Sequence, residues 1–209
     1  MDVKDSKSSS IYDREYFEAG TKSSYASYSF SDDFIQQVED LQNLLSPESV
    51  LDVGSAKGFL VSALHQKNIL AYGIEISHYA NQNLDKLASS YCIEGDVVNL
   101  PIKTSSFDVT VCYDILEHIP NEFTDKLLDE ICRVTKNLII VRCPYVKESW
   151  DKDITHVNIQ PSEYWIEKFQ NRDFILLDTW LHSNERPTWY SLIFYHKDMN
   201  KQRLKKISN

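Results

Sequence analysis

VLDVGSAKGFL, residues 50–60, joins a short apolar strand to an amphipathic helix through a turn that contains two glycines. Asp52 lies near the end of the strand, and Gly54 and Gly58 lie in the turn. Glycine adopts positive φ at little cost and has no Cβ to hold a ligand away, so the backbone can turn tightly beneath a bound molecule. Four of the five glycines lie between positions 54 and 95. This concentration indicates a ligand-binding edge where strands meet loops.

Apolar strands alternate with helices from Val50 onward, which is typical of a parallel sheet with helices on both faces. The patterns predict strands at 50–53, 70–74, 91–93, 107–112 and 138–142, and helices at 59–66, 77–88 and 122–134. A helix at 162–169 then precedes two strands, 175–180 and 191–195, which should pair antiparallel because no helix separates them. The predicted fold class is therefore α/β: a Rossmann-like, seven-stranded, mostly parallel sheet with helices on both faces and a C-terminal antiparallel strand pair.

The predicted sheet divides the chain into three regions. Residues 1–48 precede it and contain two helix candidates, so we expect an N-terminal helical lid segment there. Residues 49–197 should form the α/β domain. Residues 198–209 are rich in lysine and arginine, and we expect them to form a basic flexible tail.

Composition and charge exclude several functions. The net charge of −9 would repel a nucleic-acid backbone, so we expect a small-molecule partner and no nucleic acid. No apolar run approaches the length of about 18 residues that crosses a membrane, and the first ten residues are charged and serine-rich, so we expect no membrane association and no secretory signal. The four cysteines lack CxxC spacing and should be reduced packing residues. These features predict a cytoplasmic protein.

The glycine spacing argues against a dinucleotide cofactor. A dinucleotide-binding turn has the pattern G-x-G-x-x-G. Counted from Gly54, Ala56 takes the place of the second glycine and the bulky Phe59 that of the third. A nicotinamide-dependent oxidoreductase of the same layered architecture is therefore a less favoured alternative.

The pattern that remains, Asp-x-Gly-x-x-x-Gly after the first strand, resembles the first motif of the class I S-adenosylmethionine-dependent methyltransferases. The resemblance continues in order: Glu75 ends the second strand, Asp96 follows the third, and residues 105–109 and 113–120 resemble the family's fourth strand and the loop after it. It implies an enzyme that uses S-adenosyl-L-methionine and releases S-adenosyl-L-homocysteine. The cofactor-binding residues that it implies are Asp52, Gly54, Ser55, Ala56, Gly58, Glu75, Ile76, Asp96, Val97 and Tyr113.

The chemistry of the cofactor explains why three residues of this set are acidic. Glu75 can accept hydrogen bonds from both ribose hydroxyls, and the family places an acid near the adenine amino group where Asp96 stands. Asp52 can polarise the amides of the turn and help hold the ammonium group of the methionyl end. Any one of these acids taken alone fits a solvated or capping carboxylate equally well. Together at the carboxyl edge of a sheet, where open α/β sheets bind ligands, they favour the cofactor.

Two histidines are the candidate catalytic residues. His118 lies just past the fourth strand and could act as a base or orient the acceptor; the alternative is that His118 and Pro120 cap the helix that starts near Asn121. His156 lies in the insertion after the fifth strand, which commonly covers the acceptor in this fold. A hydroxyl acceptor must lose its proton during transfer, whereas an uncharged amine need not lose one beforehand.

A metal is considered and not expected. Asp114, Glu117 and His118 form D-x-x-E-H, which resembles the E-x-x-E-H loop of ubiquinone-pathway O-methyltransferases, where a divalent metal has been assigned. Three residues on one short helical turn make an incomplete site that would need waters or substrate oxygens to complete it. The predicted metal ligands are therefore none.

The acceptor is expected to be a small molecule. The fourth strand does not end in the Asn/Asp-Pro-Pro-Tyr motif of methyltransferases that act on adenine or glutamine, which disfavours base methylation. The tyrosine-rich opening resembles the lid of small bacterial methyltransferases associated with sugar, polysaccharide and secondary-metabolite pathways. We therefore expect O-methylation of a sugar, nucleotide-sugar or metabolite by a monomer or homodimer. The alternatives are an N-methyltransferase of an amino sugar and a non-catalytic methyltransferase-like subunit.

Overall fold

The computed structural model describes residues 9–23, 25, 27–145, 153–181 and 189–205. The strands are β1 Ser49–Val53, β2 Leu70–Glu75, β3 Cys92–Glu94, β4 Phe107–Tyr113, β5 Thr135–Pro144, β6 Phe174–Leu181 and β7 Trp189–His196. The helices are α1 Arg14–Glu18, α2 Asp32–Leu44, α3 Phe59–Gln66, α4 His78–Gln82, α5 Asn121–Val134 and α6 Ser162–Gln170. Within the described ranges, no helix is both long and apolar enough to span a membrane.

All seven strands form one sheet in the order β3-β2-β1-β4-β5-β7-β6. The first five strands pair in parallel, and β7 is antiparallel to both β5 and β6. This arrangement confirms the predicted fold class. The chain adds strands outward from β1 to β3 and then returns to place β4 on the other side of β1. Such a reversal opens a crevice at the carboxyl ends of the central strands, where ligands bind in open α/β sheets.

The central strands are apolar on both faces because helices cover both sides of the sheet. On β5, Ile139 and Val141 pack with one hydrophobic cluster, which includes the α5 side chain Leu127. Leu138 and Ile140 alternate with them and join the cluster on the opposite face, where α2 and α3 lie. The side-chain period of two in a strand therefore fills both layers of the core.

One predicted helix is much shorter than its sequence pattern suggests. The pattern predicts a helix over residues 77–88, but α4 ends at Gln82. The backbone N–H of Asp85 donates to the carbonyl of Lys57 at 2.8 Å and so leaves the helical hydrogen-bond series. The Asp85 carboxylate also accepts hydrogen bonds from the Ser62 hydroxyl and from the Leu87 N–H. These hydrogen bonds to nearby and distant donors give Asp85 an alternative to the helical conformation, so the helix does not continue through it.

The two ends of the chain contact the domain in the described residues. Tyr16 and Phe17 of α1 are buried and pack with Ala80. The sequence predicts a flexible tail from residue 198, whereas in the structure the Arg203 guanidinium makes two hydrogen bonds to the buried carboxylate of Asp108, at 2.9 and 2.7 Å. The described part of this tail therefore packs against the domain.

Candidate functional site

A cavity of about 780 Å³ lies at the carboxyl ends of β1, β2 and β4. The N-terminal segment contributes its Tyr12, Tyr16, Tyr25 and Tyr28 to the walls. Of the residues predicted from sequence, those that line the cavity are Asp52, Gly54, Ser55, Ala56, Glu75, Ile76, Asp96, Val97, Tyr113 and His118. Gly58 and His156 are not among the lining residues. The structure therefore brings together residues that the sequence scatters over four strand ends.

The glycine turn is built for close packing of the protein itself. Gly54 and Gly58 have φ values of +77° and +73°, which glycine adopts at little cost. A Cβ on Gly54 would lie 1.9 Å from Cδ1 of Ile115, and one on Gly58 would lie 2.6 Å from the Cβ of Ala88. Protein side chains therefore fill the space that a Cβ would take at these two positions, and the absence of one at Gly58 lets α3 start close to Ala88.

Glu75 connects the end of β2 to the glycine turn. One carboxylate oxygen accepts a hydrogen bond from the backbone N–H of Ala56 and the other from that of Ser77, each at 2.8 Å. The residue is 7% exposed and faces the cavity. Burial raises the pKa of Glu75 above its ordinary value. Each carboxylate oxygen has a second lone pair, so the fixed carboxylate can still accept from a ligand hydroxyl.

Asp52 lies beside Glu75 at the same edge. It is 5% exposed, and burial together with the negative charge of Glu75 raises its pKa to about 7, although Arg142 partly offsets this rise. Asp96 is the third acid, after β3, and its Oδ1 accepts the N–H of Val98 at 3.0 Å. Val97 and Ile76 add apolar surface to the same wall. Three carboxylates at one edge favour a ligand that carries positive charge and hydroxyl or amino donors.

Asp114 makes an ion pair that the sequence did not reveal. The Arg142 guanidinium donates from Nε and Nη2 to the two carboxylate oxygens of Asp114, each at 2.7 Å. The same guanidinium lies over the ring of Tyr113, 4.8 Å from its centre. Arg142 thus holds Asp114, and the metal-ligating side chains whose ligand atoms lie close together in the described residues are Glu117, His118 and His156, without Asp114.

His118 and His156 lie side by side, with ring centres 4.8 Å apart. Nδ1 of His118 is 2.7 Å from the Thr155 hydroxyl, and that hydroxyl donates its proton to the carboxylate of Asp153. His118 must therefore be the donor to Thr155, so neutral His118 carries its lone pair on Nε2. The side chain of His118 contacts the insertion after β5, and Pro120 occupies the N-cap position of α5 without a side-chain hydrogen bond.

Glu117 is a residue that sequence reasoning treated only as part of a loop motif. Its side chain is fully buried, and neither carboxylate oxygen has a hydrogen-bond partner among the described residues. Burial raises its pKa well above the ordinary value, and the nearby charge of Asp114 adds to the rise. His156 Nε2 lies 4.0 Å from Oε1 of Glu117. The backbone carbonyl of Glu117 accepts the N–H groups of Val157 and Asn158, which holds the insertion in place.

Lys57 attaches the N-terminal segment to the glycine turn. Its ammonium group forms an ion pair with Glu18 and also donates to the carbonyl of Tyr28 at 3.2 Å. The ring of Tyr28 stacks on that of Phe59, at the start of α3, with centres 5.4 Å apart. Polar and aromatic contacts therefore attach this segment to the glycine turn, and the segment forms part of the cavity wall.

Comparison with known proteins gives one family match and several structures of the same fold. Residues 51–139 match the family described as "Methyltransferase domain". Searches of curated proteins find no match to the sequence. Among solved structures, the PH0226 protein from Pyrococcus horikoshii OT3 is similar, with a TM-score of 0.66 at 16% identity over 88% of this chain and 96% of that one.

Two further structures share the fold. A SAM-dependent methyltransferase from Archaeoglobus fulgidus aligns with a TM-score of 0.64 and 15% identity, over 78% of this chain and 92% of that one. Magnesium protoporphyrin IX methyltransferase from Synechocystis PCC 6803, solved with bound SAM, aligns with a TM-score of 0.60 and 18% identity, over 79% and 77%. The chain therefore contains a region, residues 51–139, that matches a methyltransferase domain family, and it shares the fold of these three structures.

Proposed function

We propose that this protein is a class I S-adenosylmethionine-dependent methyltransferase, and that it transfers a methyl group to an oxygen atom of a small molecule, such as a sugar, nucleotide-sugar or other metabolite. The observation that carries the proposal is one cavity lined by two chemically different sets of residues. Carboxylates at the ends of β1 to β3 line it, and so does His118 from the loop after β4. A donor held by the carboxylates and an acceptor held by His118 would share one cavity, as direct transfer requires, because the reacting atoms must approach closely and in line.

The residues at the carboxylate end fit S-adenosylmethionine. Glu75 would accept the ribose hydroxyls, Asp96 would lie near the adenine amino group, and Asp52 would hold the ammonium group. The backbone of Gly54, Ser55 and Ala56 would follow the methionyl part, while the apolar side chains Ile76 and Val97 would pack against the base. When bound, this cofactor supplies an electrophilic methyl group on a positively charged sulfur.

The histidines are our candidates for the acceptor end. Thr155 fixes the ring of His118 through Nδ1, so Nε2 is the nitrogen that can orient the acceptor or take its proton. His156 packs against His118 and would complete that wall. The tyrosines of the N-terminal segment would exclude water from the reaction and contact the positive sulfur through their rings.

Three features support a small acceptor. The cavity is of the size usual for small-molecule sites. The N-terminal segment forms part of its wall, and the net charge of −9 disfavours a nucleic acid. An amino sugar that accepts on nitrogen would use the same wall and is the second candidate. We also propose residues 1–48 as the lid, residues 49–197 as the catalytic domain and a cytoplasmic monomer or homodimer as the working form.

The test is a transfer assay with S-adenosylmethionine labelled in its methyl group and a panel of sugars, amino sugars and nucleotide-sugars. Wild-type protein should label at least one acceptor, and His118→Ala should reduce its turnover by about 100-fold or more, as expected for loss of a group that acts on the acceptor. His78→Ala, which changes an exposed histidine on α4, serves as the control. A His118→Ala protein that turns over normally would remove His118 from the proposal.

A further inference from the structure

Three metal-ligating side chains converge behind the acceptor wall: Glu117, His118 and His156. Each offers one ligand atom, and the three atoms lie within 4.8 Å of one another. Glu117 is fully buried, and the side chain of His156 is 8% exposed. His118 is the member that lines the cavity. The cluster joins two segments of the chain that the fold brings together, the loop after β4 and the insertion after β5.

The carboxylate of Glu117 lacks the contacts that a purely structural role would require. Buried polar groups in folded proteins are hydrogen-bonded, because an unpaired one loses its hydration without replacement. Both oxygens of Glu117 lack such a partner among the described residues. The imidazoles of His118 and His156 lie near this carboxylate. A carboxylate and two imidazoles are side chains that commonly bind a metal ion. A bound cation would supply the stabilisation that the fold itself does not.

The surroundings of His118 support ligation in a second, independent way. Its Nδ1 donates to Thr155, whose own proton goes to Asp153. Metal-binding histidines commonly donate from one ring nitrogen to an oxygen, which fixes the tautomer and aims the other nitrogen at the metal. Asp153 also accepts the phenol proton of Tyr16 at 2.8 Å, so this outer layer is anchored in turn.

We propose that Glu117, His118 and His156 bind a divalent transition-metal ion of the Zn²⁺ type at the acceptor side of the cavity. Two nitrogens and one oxygen suit Zn²⁺ and neighbouring first-row ions, whereas Mg²⁺ prefers oxygen ligands. The ligand set differs from that of the D-x-x-E-H motif, because Asp114 is bound to Arg142 and His156 takes part instead. It also departs from our expectation from sequence that no metal is bound.

The purpose of this metal rests on the proposed function. Three protein ligands leave room for at least one more, as in catalytic zinc sites. Because His118 lines the cavity, an acceptor hydroxyl is the natural additional ligand. A metal ion lowers the pKa of a bound oxygen group, so the hydroxyl would release its proton to solvent water near neutral pH before methyl transfer. His118 and His156 would then act on the acceptor through the metal and not as free bases.

The test is metal binding by the full chain after chelation and dialysis, using Zn²⁺ in calorimetry and Co²⁺ for its visible absorption. Wild type should bind one ion per chain, and Zn²⁺ should raise the melting temperature, because it binds only the folded form. Glu117→Gln and His156→Gln should each weaken binding by at least about 100-fold. Asp114→Asn should bind within about threefold of wild type.

Glu94→Gln is the matched control, since Glu94 forms an exposed pair with His78 at 2.8 Å elsewhere on the surface. Absence of Zn²⁺ and Co²⁺ binding by wild type would overturn the site, as would full binding by Glu117→Gln or equal loss in Glu94→Gln. The wild-type stoichiometry and spectrum decide the matter even where a variant does not fold. Titration of the same metal-free protein with S-adenosylhomocysteine separates the two proposals. If the protein binds S-adenosylhomocysteine but no metal, the metal site alone is overturned. If it binds the metal but no S-adenosylhomocysteine, the proposed function is contradicted.

Discussion

Glu75 accepts a hydrogen bond from the backbone N–H of Ala56 at 2.8 Å, and this bond joins the end of β2 to the turn after β1. Ala56 has a positive φ of 47°, which non-glycine residues seldom adopt. The carboxylate therefore helps to hold the turn in its shape while also facing the cavity. A single side chain thus links the local conformation of the glycine turn to the ligand that we assign to it.

Gly54→Ala tests whether the turn tolerates a side chain. The new Cβ would meet Cδ1 of Ile115 at 1.9 Å, and φ of +77° is strained for alanine. We expect a loss of about 2–5 kcal/mol in the free energy of unfolding, from backbone strain and overpacking together. Urea denaturation measures this free energy. The double variant Gly54→Ala with Ile115→Ala should recover the stability lost to the clash but not the stability lost to the strained φ. A Gly54→Ala protein as stable as wild type would contradict the packing argument.

We expect Asp52 to make cofactor binding depend on pH. Burial and Glu75 raise its pKa to about 7 in the free protein, Arg142 opposes the rise, and Tyr28 and Tyr113 lie close enough to feel its charge. The ammonium group of the cofactor favours the ionised carboxylate. Affinity for S-adenosylhomocysteine should therefore rise as pH increases from about 6 to 7.5, with a proton released on binding near the lower end.

Calorimetry in buffers of different ionisation enthalpy detects that proton. Asp52→Asn should bind more weakly and release none. The stability of the ligand-free protein should change with pH in the opposite direction to the affinity. A carboxyl group whose pKa is raised in the folded state stabilises the fold below its unfolded pKa, and this contribution is lost as pH rises toward 7. Asp52→Asn should therefore be more stable than wild type at pH 8 in the absence of ligand. Equal pH profiles for the two proteins would remove Asp52 from this role.

Arg203→Ala tests the packing of the C-terminal segment. Burial alone would raise the pKa of Asp108, but hydrogen bonds from Arg203 and the Glu48 N–H outweigh it and lower the pKa. Removing the guanidinium should cost about 1–3 kcal/mol of unfolding free energy at pH 7. A lowered carboxyl pKa contributes stability above the unfolded pKa and loses it as pH falls. The melting temperatures of the two proteins should therefore begin to converge as pH falls below the unfolded pKa of about 4, and should meet below the still lower folded pKa, whereas a constant difference would contradict this assignment.

Lys57→Met tests the attachment of the lid. The substitution keeps most of the apolar stem and removes the ammonium group that pairs with Glu18 and binds the Tyr28 carbonyl. We expect a threefold to tenfold weaker affinity for S-adenosylhomocysteine and faster proteolysis of the N-terminal segment, because closure becomes less favourable. Lys67→Met is the control, since Lys67 pairs with Glu39 at the surface. Unchanged affinity and proteolysis in Lys57→Met would show that the lid is held by its aromatic contacts.

The fold and the carboxylate end of the site were accessible from sequence because both depend on local patterns. Alternating apolar strands and helices define the parallel sheet, and an acid at a strand end must lie at the carboxyl edge whatever the remaining packing is. Asp52, Glu75 and Asp96 needed no knowledge of side-chain contacts to be placed there.

The acceptor end was only partly accessible because it depends on contacts between distant segments. Thr155 contacts His118 across 37 positions of the chain, and Arg142 contacts Asp114 across 28. Motif spacing alone grouped Asp114 with Glu117, whereas the fold pairs Asp114 with Arg142. Similarly, the role of Gly54 in admitting the side chain of Ile115 depends on a tertiary neighbour that spacing does not show.

The most direct test of the central claim is titration calorimetry of S-adenosylhomocysteine into wild type and Glu75→Ala. Each charge-assisted hydrogen bond to a ribose hydroxyl contributes roughly 1.5–3 kcal/mol, so Glu75→Ala should bind about 10-fold to 100-fold more weakly or not measurably. Glu94→Ala, at the end of the neighbouring strand, controls for loss of an acid at the same edge. The predicted result is that wild type and Glu94→Ala bind S-adenosylhomocysteine and that Glu75→Ala shows this loss of affinity. No binding by wild type, or equal affinity in Glu75→Ala, would contradict the account.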